Sequence, residues 1–234
     1  MDHLKDLKKM RDLILLHGAL GASSEFDELV PLLEDSFTVY RFDLSGHGKN
    51  DSDKPFSMNL FAEDLRSFIQ KNNLNKPQLF GYSMGGYVAY TLAIQDPEIL
   101  GDIMSLGTKL KWDPLVAKLE TAKLDPGKIM EKVPKFGVYL DRLHLNWKST
   151  LERTCHLMSS LGNGEALTLN FFAKIQNKCY LGLGDQDAMV SCGETLDVQQ
   201  AIPNAEFYTL PKSRHPLPQL DKSILAQQIT QLLS

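Results

Sequence analysis

The sequence lacks any apolar run of membrane-spanning length, which argues against a helix crossing a bilayer. It also lacks a surplus of positive charge. Lys and Arg number 25 against 29 Asp and Glu, a net charge of −4, so nucleic acid is not an expected partner. Cysteine is scarce. Cys155, Cys179 and Cys192 are odd in number and have no metal-type spacing, so reduced thiols are expected, Cys179 buried among them, in a cytoplasmic protein. Residues 1–11 are charged and lack the apolar core of a signal peptide. There is no internal repeat and no low-complexity tract. What remains, 234 residues at 43% apolar and 23% charged, suits one soluble domain, or one domain with an insertion.

The order of elements is informative. Asp12–Leu16 is a continuous apolar run typical of a strand buried on both faces. A helix is expected from Ser23 to Leu33, a second strand over Phe37–Leu44, and an amphipathic helix over Ser57–Asn72. A strand over Gln78–Tyr82, a helix over Met84–Gln95 and a strand over Leu100–Leu106 follow. Strands alternating with helices predict an open, mostly parallel sheet with helices on both faces. The alternation stops at Lys109 and resumes near residue 170. Between them the sequence predicts helices over Pro114–Leu124, Pro126–Trp147 and Thr150–Leu161, with Asp113 and Asp125 as caps and each proline in a first turn. Strands over Cys179–Leu183 and Glu206–Leu210 and helices over Cys192–Ala201 and Ile224–Leu233 complete the chain. The expected organisation is a core of residues 1–108 and 170–234 with a helical cap over 109–169, or a helical layer that only packs.

Between the third strand and its helix lies Gly81-Tyr82-Ser83-Met84-Gly85-Gly86. A serine in a sharp strand-to-helix turn needs small residues two before and two after it, so that strand and helix can pass closely. The turn lifts the hydroxyl clear and aims the first helical N–H groups at whatever the serine attacks. Taken alone, the hexapeptide is equally a glycine-rich turn with an incidental serine. The other polar, glycine-flanked groups also fall at strand ends: His17-Gly18, Gly46-His47-Gly48, Asp185 with Asp187, and His215. Ligands of an open α/β sheet bind beyond the carboxyl ends of its strands. A serine needs a base, and a histidine base needs a carboxylate to hold its tautomer. Ser83, Asp187 and His215 supply these in chain order.

These stretches, together with Asp43-Leu44-Ser45-Gly46-His47-Gly48 and Ser213-Arg214-His215, resemble the α/β-hydrolase family over almost the whole chain. The resemblance implies a nucleophile at Ser83, a base at His215 and an acid at Asp187 in preference to Asp185, which is expected to bond loop backbone. It implies oxyanion donors at the backbone N–H groups of Ala19 and Met84. It implies no metal and no organic cofactor. The family usually begins with a β-hairpin. Residues 1–11 are too few for one, so about six strands are expected rather than eight. His17, His47, His144 and His156 are read as structural or cap residues, and His3 as part of the start of the chain. The implied activity is hydrolysis of a small carboxylic ester or thioester, the acyl group being carried by a small molecule, a coenzyme A or an acyl carrier. Carbon–carbon bond hydrolysis, lyase and perhydrolase chemistry use the same residues, and a ligand-binding receptor on the same scaffold is the rival of another class. Serine at the elbow disfavours a dehalogenase, which wants aspartate there.

Overall fold

The computed structural model describes residues 10–234. Six parallel strands form one sheet in the order β2-β1-β3-β4-β5-β6: β1 Arg11–Leu16, β2 Phe37–Arg41, β3 Gln78–Tyr82, β4 Ile103–Leu106, β5 Cys179–Gly184 and β6 Ala205–Leu210. The chain leaves β1 for β2 on one side and returns to β3 on the other. The ends of β1 and β3 are therefore neighbours at the point where the winding reverses, the crevice in which such sheets bind ligands. The expectation of a missing or reduced first hairpin concerns residues 1–11, mostly outside the described residues, as is His3.

Side chains alternate across β1, and the two faces carry two cores. Ile14 and Leu16 join Leu79, Ile103 and Leu181 beneath α1 (Met58–Lys71), α2 (Met84–Gln95) and the later helix at Cys192–Ala201. Leu13 and Leu15 join Phe80, Met104 and Leu106 beneath Phe26, Leu29 and the last helix, Lys222–Leu233. Helix α1 shows why local sequence suffices for much of this. Ser57 caps it by accepting the Leu60 N–H at 3.0 Å, and Phe61, Leu65 and Ile69 recur on its buried face.

Three elements differ from the sequence reading. The segment expected to be a helix from Ser23 is two short 3-10 turns, Ser23–Phe26 and Val30–Leu32, held by i to i−3 bonds such as Leu29 N–H to Phe26 O at 2.9 Å. Pro31, in the first turn of the second, has no N–H to extend an α-helix through it. Strand β2 stops at Arg41 because Asp43 is drawn into loop bonding, accepting the Ser23 N–H at 2.7 Å and the Lys49 N–H at 2.8 Å. The helix expected over Pro126–Trp147 is two, α4 Pro126–Lys132 and α5 Pro134–Leu143, preceded by α3 Pro114–Thr121 and followed by α6 Trp147–Ser160. Val133 precedes Pro134 and leaves the helical region at φ −138°, ψ 58°, as a residue before proline tends to do. The expected caps are present: Asp113 accepts from Val116 N–H and Asp125 from Lys128 N–H.

Helices α3 to α6 are tied to the loops after β1 and β2. His144 accepts the Gly48 N–H at 2.9 Å through Nδ1, and its Nε2 lies 2.9 Å from Leu20 O. Thr150 Oγ1 donates to Gly46 O at 2.7 Å, and Leu145 N–H to Gly48 O at 3.2 Å. His17 completes the join. Its Nε2 accepts the Leu44 N–H at 3.1 Å while Nδ1 faces Gly18 O at 2.8 Å. His47 stacks on Phe56 with ring centroids 5.0 Å apart and lies 5.2 Å from the His17 ring. Among the described residues no helix is long and apolar enough to cross a membrane.

Two predictions follow from this packing. A Cβ on Gly85 would sit 2.2 Å from Leu16 O, a backbone atom that cannot step aside. Gly85→Ala is expected to lower unfolding free energy by about 2 kcal/mol or more, read by urea denaturation. The second concerns pH. Burial drives His17 from its ordinary 6.5 down to about 4, and drives His47 and His144 down as well. The folded state then binds fewer protons than the unfolded chain below pH 6.5, so stability is present above that value and is lost as pH falls. Unfolding free energy should decline from pH 6.5 to roughly 5, above the main carboxylate range, by up to about 1.4 kcal/mol per pH unit for each histidine. A flat profile there would show that the three rings are not held neutral.

Candidate functional site

The site begins with the backbone. Ser83 follows β3 and sits at φ 50°, ψ −117°, a strained conformation for a residue with a side chain. Three bonds hold it there. Its N–H donates to Leu106 O at 2.8 Å, and its carbonyl accepts from the Thr108 hydroxyl at 2.9 Å and the Gly86 N–H at 3.1 Å. The strand and helix cross so closely at this turn that a Cβ on Gly81 would lie 2.5 Å from Gly86 N. This is the geometric content of the glycine spacing.

Two side chains from distant strand ends meet Ser83. His215, in the loop after β6, places Nε2 3.3 Å from Ser83 Oγ, at the outer end of hydrogen-bond range. Its Nδ1 lies 2.8 Å from Asp187 Oδ2. The Tyr82 hydroxyl donates to the His215 carbonyl and anchors that loop from below. Asp187, after β5, has a side chain only 2% exposed. Its other oxygen accepts the N–H groups of Met189 at 2.8 Å and Val190 at 3.0 Å. Burial alone would raise its carboxyl. The bond and charge of His215, with the Val190 and Met189 N–H groups, outweigh that and hold it below the ordinary carboxylate range. Asp185 is exposed and accepts the Ser213 N–H at 3.0 Å, so it braces the loop that carries His215.

Ala19 and Met84 stand on the same wall. Among the described residues neither backbone N–H has a hydrogen-bond partner, and both residues line the cavity beside Ser83. That cavity measures about 470 Å³. Ser83, His215 and the loop after β1 form its floor, and Leu124, Phe136, Tyr139 and Leu157 from the helical layer face them. The other histidines among the described residues stay apart from this relay. His17, His47 and His144 are buried in the join described above, and His156 is exposed on α6.

Several residues here were not singled out as site residues from sequence. Glu25 lines the cavity, where its carboxylate accepts the Tyr139 hydroxyl at 2.6 Å and the Ala22 N–H at 3.2 Å. Burial raises its carboxyl, more than those two bonds lower it. Lys109 is the one lysine of the helical stretch on this wall; its Nζ donates to Met189 O at 3.2 Å and lies 3.7 Å from Glu194. Of the aromatics after β4, Trp112, in the irregular segment before α3, and Phe136 and Tyr139 on α5 line the cavity, whereas Trp147 packs with Ile129, Leu140 and Leu151. No sequence signal separates Phe136 and Tyr139 from Trp147, because all three lie in helices with apolar spacing.

Comparison with known proteins agrees with this fold. A family model described as the α/β hydrolase fold matches residues 13–146, more than half of the chain. The enol-lactonase of Burkholderia xenovorans LB400 superposes with a TM-score of 0.79 at 17% identity, covering 96% of this chain and 92% of that one. Ethanol acetyltransferase 1 of Hanseniaspora uvarum is 26% identical over 133 residues, 55% of this chain but 39% of that protein. A candidate 2-succinyl-6-hydroxy-2,4-cyclohexadiene-1-carboxylate synthase of Bacillus subtilis is 23% identical over 250 residues, 94% of this chain and 90% of that protein. This chain thus spans well under half of the yeast acetyltransferase and nearly all of the bacterial protein. With the sheet order, the elbow at Ser83 and the family match in agreement, the chain belongs to the α/β hydrolase fold family.

Proposed function

We propose that this protein is a serine hydrolase that cleaves a small carboxylic ester or thioester. The observation that carries the reading is the Ser83–His215–Asp187 relay, at 3.3 Å and 2.8 Å, on the floor of a largely apolar cavity. Ser83 Oγ attacks the acyl carbonyl carbon while His215 Nε2 takes its proton. The carbonyl oxygen becomes an oxyanion that the N–H groups of Ala19 and Met84 stabilise. Collapse of this intermediate expels the alkoxide or thiolate, to which His215 returns the proton. Water then attacks the acyl-enzyme by the same base, releasing the acid and free Ser83. Asp187 keeps the His215 proton on Nδ1 and stabilises the imidazolium formed in each half-reaction. No step calls on a metal or an organic cofactor.

Residues 109–169 act in this reading as the cap that closes the cavity and selects the substrate. The acyl group arrives on a small molecule, a coenzyme A or an acyl carrier. Similarity to ethanol acetyltransferase 1 favours one second reading, in which an alcohol replaces water as acceptor of the acyl group. Product analysis in water with added ethanol separates the two, since transfer yields the ethyl ester and hydrolysis yields the acid.

Ser83→Ala is expected to abolish turnover of p-nitrophenyl esters and labelling by a fluorophosphonate, with the circular dichroism spectrum unchanged. Asp187→Asn should lower kcat by about 10³ to 10⁴, because the wrong histidine tautomer then faces the serine. Asp185→Asn should cost less than about tenfold, because it only loosens a loop. Wild-type protein that neither labels nor turns over any acyl ester would overturn the reading.

A further inference from the structure

A second cavity, also about 470 Å³, lies on the far side of the segment that follows β4. It is bounded by Leu161, Ala166, Leu167 and Leu169, by Phe172 on the short helix α7 (Leu169–Phe172), and by Val198 on α8 (Cys192–Ala201). Among the described residues Trp112 is the one that lines both this cavity and the one above Ser83. Around it the two linings are neighbours. Leu157 on α6 lines the first cavity and Leu161, one turn further along, lines the second. Tyr87 faces the first, and its hydroxyl accepts at 2.6 Å the N–H of Leu167, which faces the second. The indole of Trp112 is held across this boundary by its N–H, which donates to Lys109 O at 3.1 Å.

The second cavity has little to offer a polar ligand. The Glu194 carboxylate on its wall is already taken by the Ser191 hydroxyl at 2.9 Å, by the N–H groups of Ser191 and Leu110, and by Lys109. Lys111 and Asp197 are exposed and stand at its mouth. The interior that remains is aliphatic and aromatic, the chemistry that takes a hydrocarbon chain.

We infer that Trp112 sets the length of acyl chain that the enzyme accepts, by closing off an apolar compartment that would otherwise continue the cavity above Ser83. The inference rests on the ester-hydrolase reading. With the indole in place, an acyl chain that runs from Ser83 toward Trp112 ends at the ring, and a longer one must fold back within the first cavity. With the ring removed, the tail continues into the second compartment. Each methylene that enters it raises kcat/KM by up to about fourfold, the rate equivalent of transferring one CH₂ from water to an apolar site.

The test compares wild type, Trp112→Ala, Trp112→Leu and the double variant Trp112→Ala with Ala166→Trp. The readouts are p-nitrophenyl butyrate and decanoate turnover, fluorophosphonate labelling, and calorimetric binding of butyrate and decanoate. Trp112→Ala should raise the decanoate-to-butyrate ratio of kcat/KM by about tenfold or more, and should tighten decanoate binding by a similar factor. Trp112→Leu, a milder truncation that keeps an apolar side chain, should move both in the same direction. Ala166→Trp, which fills the second compartment, should return both to the wild-type values. An unchanged ratio and unchanged decanoate binding in folded Trp112 variants would overturn the inference, as would a gain that survives Ala166→Trp. The two readings fail separately. Wild type without labelling or turnover removes the hydrolase reading, whereas the decanoate binding comparison needs no turnover and still decides the role of Trp112.

Discussion

The contact on which the site depends is backbone against backbone, where the first turn of α2 crosses the end of β1. Gly85 passes so close to the Leu16 carbonyl that no side chain fits, and Gly81 passes nearly as close to Gly86. That crossing fixes the angle at which β3 becomes α2, and Ser83 at the bend is left with a left-handed φ. Strain of this kind persists only where surrounding bonds over-determine it. Here the Leu106 carbonyl, the Thr108 hydroxyl and the Gly86 N–H supply those bonds. Among the described residues the N–H of Met84 has no partner, because the first N–H groups of a helix have none within it, and the N–H of Ala19 in the loop after β1 has none either.

A second layer of constraint holds the helical layer over the cavity. The helices between β4 and β5 are pinned to the loops after β1 and β2 by His144, Thr150, Tyr139 and the Leu145 N–H. Three buried histidines lie at this join, and burial keeps them neutral near pH 7. Neutral imidazoles can accept as well as donate, which suits a place where both N–H groups and carbonyls from irregular loops must find partners. Floor and roof of the cavity therefore share one bonding network, although they come from parts of the chain about a hundred residues apart, as the bond from Thr150 to Gly46 illustrates.

Much of this molecule was legible in the sequence because it rests on local rules. The runs Asp12–Leu16 and Gln78–Tyr82 mark strands buried on both faces, and Leu13–Leu16 and all of Gln78–Tyr82 are buried. Asp113 and Asp125 before prolines marked helix starts, and both cap. The departures also have local causes that a periodicity argument passes over: Pro31 within an apolar stretch, Val133 before Pro134, and Asp43 recruited by loop N–H groups. Glycine spacing around Ser83 was read correctly as steric, since the distances that require it are set by any strand-to-helix turn of this type.

By itself the sequence determined the class of fold, the elbow, and the serine and histidine that meet at it, because each depends on residue type and order along the chain. Only the tertiary structure decided which carboxylate reaches His215, since Asp185 and Asp187 differ by two positions and point to different partners. It alone decided which helical aromatics face the cavity and which form a core of their own, and it alone set Trp112 between two compartments. The physical reason is the same in each case. Local rules act through near neighbours on the chain, whereas a cavity wall is assembled from side chains whose shared surroundings exist only once distant segments have packed.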